Sequence, residues 1–187
     1  MAKKNEKKDW LNMAFKLLRV KGIHAVRVES LARELNVTKG GFYGYFLNRD
    51  ALLQAMLDYW ETVLTDQIIS RVSKIKGPLK DQLTGILSLV YEHVDEDIDK
   101  AMSAWSYKDE RARIVVNRVV RRRIDFMKGL FLEEGFSNEQ AELRARLMHS
   151  FVHGDRSFPD VCEAKDSDER KILVRDFVEL IGTPIES

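Results

Sequence analysis

The stretch Asn36–Phe46 reads NVTKGGFYGYF, and it places three glycines within five residues of a chain that otherwise favours helix. Gly40, Gly41 and Gly44 each cost a helix interior about 1 kcal/mol relative to alanine. Helix propensity alone therefore gives no reason for them. The residues on either side of the stretch indicate what the reason is.

Two short helices flank a tight turn at this point of the chain. The apolar spacing predicts a second helix over Val28–Leu35 and a third over Lys39–Phe46, with Thr38 as its cap. Two short helices joined in this way are the helix-turn-helix of DNA-binding proteins, which requires a left-handed residue in the turn, here Asn36. The side chains that the motif requires to be buried are Leu31, Ala32, Leu35, Val37 and Phe42.

Composition limits the class of protein. The 187 residues are 44% hydrophobic and 33% charged, and no apolar run approaches the roughly 18 residues that a membrane span needs. One cysteine, Cys162, excludes an internal disulfide and favours the reducing cytoplasm. Residues 1–50 hold 11 Lys/Arg against 5 Asp/Glu, a net of +6, whereas residues 51–187 hold 20 against 25, a net of −5. The basic quarter indicates either a surface that meets a polyanion or a solvated charged face.

The remaining chain also has helical periodicity, which predicts an all-α protein of about nine helices. The first helix is predicted from Asp9 to Lys21, and a fourth, capped by Asn48, links two domains. We expect a DNA-binding domain at 1–50 and an effector-binding and dimerisation domain at 51–187. The further helices are predicted at about 78–94, around Met102 and Trp105, and at about 109–134, 138–153 and 167–181.

Residues 9–60 resemble the DNA-binding domain of the TetR family of bacterial transcriptional regulators. The resemblance lies in GIHAVRVESLARELNV (Gly22–Val37) and in TKGGFYGYFLNRDALL (Thr38–Leu53). Over the rest of the chain it extends only to the number and lengths of the helices. It implies that the third helix enters the major groove of DNA, where Gly40 and Gly41 let the backbone approach closely.

The same resemblance implies a set of DNA contacts around the third helix. The tyrosine hydroxyls and the cations suit phosphate oxygens, and Lys39 also suits a guanine edge. Gly44 stands where the family often has a larger side chain. The implied contact residues are Arg27, Thr38, Lys39, Gly40, Gly41, Tyr43, Tyr45 and Arg49.

A single helix-turn-helix domain binds one half-site of DNA. The protein is therefore expected to be a symmetric homodimer on a palindromic operator. The family usually dimerises through its last two helices and binds a small effector between the middle ones. The candidate interface residues are Ala141, Ala145, Leu147, Met148, Val152, Leu173, Phe177, Leu180 and Ile181. The candidate effector residues, each of which also suits an ordinary core position, are Met56, Tyr59, Trp60, Tyr91, Met102, Trp105, Phe126 and Met127.

Other functions remain as alternatives at this stage. His149 and His153 are spaced for one helical face, which suits a metal pair or a polar interface pair, and no third ligand is evident. No nucleophile motif or phosphate-binding loop is present, so we expect no enzyme, cofactor or metal. The main interpretation is a repressor released by an effector. An activator, a regulator without effector, a small helical enzyme and a protein-only adaptor are the alternatives.

Overall fold

The computed structural model describes residues 6–93, 96–157 and 167–184, which are helical and contain no strand, so the predicted all-α class is confirmed. Cys162 lies outside these residues. The helices are α1 (Lys7–Lys21), α2 (Val28–Glu34), α3 (Lys39–Tyr43), α4 (Arg49–Tyr59), α5 (Asp66–Val72), α6 (Leu79–His93), α7 (Glu96–Ser106), α8 (Glu110–Glu133), α9 (Asn138–Ser157) and α10 (Ser167–Gly182). A 3-10 turn at Ile23–Ala25 precedes α2, and a π-helical segment at Trp60–Thr65 joins α4 to α5.

The predicted Asn48 cap forms as expected, and Ser137 caps α9 in the same way. The Asn48 side chain accepts a hydrogen bond from the Ala51 amide at 2.9 Å, and the Ser137 hydroxyl accepts one from the Gln140 amide at 3.2 Å. Each satisfies one of the donors that the first turn of a helix leaves open. Thr38 occupies the cap position of α3, but its side chain makes no capping bond. That part of the prediction is wrong.

The fourth predicted helix contains a change of winding. After Tyr59 the chain passes into the π-helical segment, and α-helix resumes at Asp66. A π segment adds one residue to a turn and so shifts the register of the side chains that follow. The apolar spacing read from the sequence does not reveal this shift.

The chain forms two compact units. The first comprises Met1–Leu64 and Asp95–Asn117, and the second Thr65–Val94 and Arg118–Ser187. Within the first, α1 packs against α2, α4 and α7; within the second, α6 packs against α5 and α10. The functional boundary near residue 50 stays a prediction, because these units group residues by contact rather than by role.

Arg144 holds the end of α10 inside the second unit. Its side chain is only 4% exposed, and its Nε and Nη2 donate to the carbonyl oxygens of Ile181 and Thr183, both at 2.9 Å. The guanidinium also lies over the Phe136 ring, 4.5 Å from its centre. The last carbonyls of a helix have no partner within the helix, so this cation satisfies them from α9.

Candidate nucleic-acid interface

The turn between α2 and α3 is a Schellman motif, which ends α2 in a fixed direction. Asn36 has φ 53°, the left-handed conformation predicted for it. The Val37 amide donates to the Ala32 carbonyl at 2.9 Å, and the Asn36 amide donates to the Arg33 carbonyl at 3.1 Å. This pair of bonds defines the motif and sets where α3 begins. Val37 is 36% exposed, so its predicted burial is wrong.

The α3 helix is anchored to the core through one aromatic side chain. Phe42 is fully buried, meets the Trp10 ring edge-on at 5.5 Å and lies 5.3 Å from Phe46, which is 4% exposed. The predicted core positions of both phenylalanines are confirmed. Leu31 and Ala32 of α2 are buried as well.

The predicted extent of α3 is wrong at its carboxyl end. The helix was expected to reach Phe46, but it ends at Tyr43 with Gly44 as its cap. The amides of Tyr45 and Phe46 both donate to the Phe42 carbonyl, at 2.9 and 3.1 Å, which tightens the last turn. A glycine at the end of so short a helix favours termination, because it contributes little helix propensity.

The face of α3 opposite Phe42 carries almost no side chain. Gly40 and Gly44 are four residues apart and therefore share one face, and both are exposed. Gly44 has φ −71°, and a methyl group added at Gly40 or Gly44 would meet its nearest neighbour at 3.6 Å, an ordinary contact. The fold thus requires neither glycine for its backbone or for space. A smooth, exposed helix face remains, and it is suited to close approach by a partner.

Lys39, at the first position of α3, is bonded to α2. Its Nζ donates to Glu29 Oε1 at 2.8 Å, and both side chains are more than half exposed. The hydrogen bond from Lys39 holds the pKa of Glu29 below its ordinary value, and the same bond raises the pKa of Lys39. The two groups are therefore an ion pair at neutral pH. Glu29 was not among the predicted site residues, since nothing in its spacing distinguishes it from other surface carboxylates.

Arg49 is part of the fold rather than a free surface cation. Its Nε donates to the Val26 carbonyl at 2.6 Å and its Nη2 to the Ile23 carbonyl at 3.0 Å. The start of α4 is thereby tied to the loop that precedes α2. Its phosphate contact stays a prediction, and these two bonds make it a positioning residue. Arg27, in that loop, donates through Nε to the His24 carbonyl at 2.9 Å and is exposed.

The two tyrosines differ in exposure. Tyr43 is 58% exposed and its ring meets Phe42 edge-on at 5.4 Å, so the ring is supported while its remaining surface stays open. Tyr45 is half-buried. Tyr43, Lys39, Thr38 and the glycines lie on or beside α3, as the sequence predicts.

The candidate effector residues divide between the two units. Met56, Trp60, Met102 and Trp105 of the first unit are at most 2% exposed, and Tyr59 is partly buried. The Trp60 indole donates to Asp99 Oδ1 at 3.0 Å, whereas Trp105 Nε1 has no hydrogen-bond partner among the described residues. In the second unit, Met127 is 7% exposed, and Tyr91 and Phe126 are partly buried.

The candidate interface residues also fall into two groups. Four are in the core of the second unit and so offer little surface to another chain: Ala141, Ala145, Met148 and Ile181. Five keep exposed or half-exposed surface: Leu147, Val152, Leu173, Phe177 and Leu180. Leu143, which was not predicted, is 53% exposed and lies one turn before Leu147 on α9.

The two histidine rings of α9 are close in space. The rings of His149 and His153 have centres 4.3 Å apart. Among the side chains that the structure describes, those of residues 6–63, 65–91, 98–154 and 168–184, no group of three or more His, Cys, Asp or Glu could hold a metal ion. In the same part of the chain, no helix combines the length and the apolar character that crossing a membrane requires.

Comparison with known proteins places the N-terminal region in a family. Residues 11–56 match the sequence profile of "Bacterial regulatory proteins, tetR family". Over 95 residues, 49% of this chain, the sequence is 33% identical to an uncharacterized HTH-type transcriptional regulator, YuxN, of Bacillus subtilis (strain 168). That match spans only 33% of the length of the curated relative.

Solved structures agree with the fold over nearly the whole chain. A TetR transcriptional regulator from Legionella pneumophila is 18% identical, with TM-score 0.75 and coverage of 96% of this chain and 98% of that one. A putative regulator from Saccharomonospora viridis in complex with choline is 16% identical, with TM-score 0.75 and coverage of 92% and 94%. FadR from Bacillus subtilis in complex with stearoyl-CoA is 15% identical, with TM-score 0.70 and coverage of 97% and 100%. At these identities the likeness concerns the fold.

Proposed function

Because the chain belongs to the TetR family of bacterial regulatory proteins, we propose that it is a transcriptional regulator that binds a palindromic DNA operator as a homodimer. The observation that carries the proposal is the bare, exposed face of α3, formed by Gly40 and Gly44 opposite the buried Phe42. An enzyme or a protein-only adaptor gives no reason for helix-destabilising glycines on that face. A DNA major groove does, because it must admit the helix backbone. Because the proposed target is DNA, we also propose a cytoplasmic location.

The contacts follow from the placement of the side chains. Lys39 and Tyr43 flank the glycine face and reach phosphate oxygens or base edges on either side of it. Arg27 and Thr38 lie just before α2 and α3, where helix amino ends favour phosphate. Arg49 acts indirectly, by fixing the loop before α2.

Selection of bound DNA from a random pool tests the function directly. We expect a palindrome whose half-sites are separated by one helical turn, about 34 Å, or a multiple of it. Bound DNA without symmetry would contradict the dimer, and no salt-dependent binding at all would favour the adaptor.

The double variant Lys39→Ala/Tyr43→Ala is expected to bind the selected operator about tenfold more weakly, since it removes one charge contact and one hydroxyl contact. Gel shift at fixed salt measures the change. The matched control is Lys16→Ala/Tyr107→Ala, which removes the same two side-chain types from exposed positions outside α2 and α3. Unchanged binding by the first variant would exclude α3 as the reading helix.

The Glu29→Gln variant is expected to bind the operator two- to fivefold more tightly. Glu29 holds the Lys39 ammonium in the free protein, so DNA phosphate must displace it, and its own charge repels DNA. Since the pKa of Glu29 is lowered and that of Lys39 raised, the competition is constant between pH 6 and 8. Glu34→Gln, on the same helix, has the same charge change and is the control. Weaker binding by Glu29→Gln would mean that Glu29 orients Lys39 productively.

Dimerisation is proposed through the exposed apolar faces of α9 and α10. Leu143 and Leu147 are one turn apart on α9, and Leu173 and Leu180 follow a spacing of seven on α10, each at least 37% exposed. Apolar stripes of this kind on adjacent helices suit a four-helix interface with a second copy. Sedimentation of Leu147→Glu/Leu180→Glu should show a monomer.

Release from DNA is proposed to follow the binding of a small apolar effector near Trp60 and Trp105. The indole N–H of Trp105 offers a donor to an acceptor on the effector, and Met56 and Met102, which are buried in the same unit, can adapt in shape. An effector that prefers one of two conformations shifts the population away from the DNA-binding one. The solved regulators with bound choline and stearoyl-CoA support ligand binding in this fold. An activator with the same DNA contacts is the second candidate.

A further inference from the structure

A groove of about 480 Å³ lies between α6 and α10, inside the second unit. Its volume is within the range of about 300–1,000 Å³ typical of small-molecule sites. Val174 and Val178 form an apolar floor and are 8% and 3% exposed. The polar lining residues are Lys80, Asp81, Thr84, Ser88, Tyr91, Arg170, Lys171, Arg175 and Glu179.

The two helices run antiparallel, which separates the charges along the groove. Lys80, near the start of α6, donates to Glu179, near the end of α10, at 2.5 Å. At the opposite end the Arg170 guanidinium lies over the Tyr91 ring, 5.1 Å from its centre. We call the end of the groove where Lys80 meets Glu179 the Lys80 end, and the end where Arg170 lies over Tyr91 the Arg170 end.

The charges at the two ends are of opposite sign. The Lys80 end carries one cation against the carboxylates of Asp81 and Glu179. Arg170 and Lys171 lie at the Arg170 end and Arg175 lies midway along α10, and among the described lining residues no carboxylate lies at the Arg170 end. Lys171 and Arg175 are paired with Asp168 and Asp176, at 3.0 and 2.8 Å, and neither of these acids is a lining residue.

We infer that this groove binds a small organic anion, a carboxylate or sulfonate with an apolar body. The anionic group lies among the three cations, where the Ser88 and Tyr91 hydroxyls add donors, and the apolar body lies on Val174 and Val178. Such a ligand uses both features of the lining, whereas a bare anion leaves the apolar floor uncovered. The site goes beyond the proposed function and shares only Tyr91 with the predicted effector residues.

The test uses 4-(trifluoromethyl)benzoate as the probe, with fluorine NMR on the full-length protein in low-salt buffer at pH 7. We expect saturable binding that is at least fivefold tighter than that of the neutral amide of the same acid. Lys171→Gln/Arg175→Gln should weaken the benzoate at least fivefold and leave the amide unchanged. Lys16→Gln/Lys108→Gln removes two exposed cations elsewhere and should leave both unchanged.

A second variant locates the probe without changing any charge. Thr84 lines the groove and is exposed, so Thr84→Trp fills the space above the floor and is expected to abolish binding. Absence of saturable benzoate binding overturns the inference. So does benzoate binding that survives both Thr84→Trp and the double glutamine variant. Neither outcome affects the DNA-binding proposal, since the readout contains no DNA.

Discussion

The double variant Gly40→Ala/Gly44→Ala is expected to be more stable than the natural protein and to bind its operator at least thirtyfold more weakly. Both glycines are exposed, and an added methyl group would find room at each. Replacing two such glycines reduces the entropy of the unfolded chain and stabilises the fold by about 1–2 kcal/mol. On the DNA side, two methyl groups hold the α3 backbone away from the groove. A thirtyfold loss corresponds to about 2 kcal/mol.

The Gly40→Ala/Gly44→Ala variant is expected to gain stability and to lose operator affinity, so a general structural defect cannot account for both results. Urea unfolding followed by circular dichroism gives the free energy of unfolding, and gel shift at fixed salt gives the affinity. Gly129→Ala is the matched control, because this glycine lies within α8 with nothing within 4 Å of an added methyl group. It should gain stability without changing DNA binding. A Gly40→Ala/Gly44→Ala protein with full affinity would remove close approach as the reason for the glycines.

The helix-turn-helix could be predicted from the sequence because the residues that determine it act within a few positions of themselves. Asn36 tolerates the left-handed conformation, and Asn48 caps the helix that follows, so each decides its own turn within a few residues. Phe42 and Phe46 are placed by their spacing alone. The exposed glycines before and between these phenylalanines stand out because local helix propensity cannot account for them.

Interactions between distant residues were not predictable in this way. From the sequence, Arg49 was predicted to be a surface cation that contacts DNA. In the structure it donates to the carbonyl groups of Val26 and Ile23, which are 23 and 26 residues earlier in the chain. Glu29 reaches Lys39 across the turn, ten residues on. The π-helical segment at Trp60–Thr65 changes the register without a change in composition. These features depend on how helices are placed in space, and a periodic pattern does not encode that.

Arg144 also bonds to residues far away in the chain, the carbonyl groups of Ile181 and Thr183. The Arg144→Ala variant is expected to lower the free energy of unfolding by about 3 kcal/mol. The side chain is buried and donates to the carbonyls of Ile181 and Thr183. Its removal leaves these acceptors without their donor and opens a cavity beside Phe136. Against a typical total of about 5–15 kcal/mol, the loss is large, and it corresponds to a fall in melting temperature of about 10 °C.

Three further variants separate the donors of Arg144 from its charge and its volume. Arg144→Met keeps much of the apolar contact but no donor, so it should lose nearly as much stability as alanine. Arg144→Lys keeps the charge and can serve one carbonyl, so its loss should be intermediate. Arg146→Ala removes an exposed arginine paired with Glu142 and should cost less than about 1 kcal/mol. All are compared in urea at one protein concentration, because dimerisation would couple stability to concentration. A loss below about 1 kcal/mol for Arg144→Ala would mean that water replaces the guanidinium at the end of α10, and that this helix end is not held by α9.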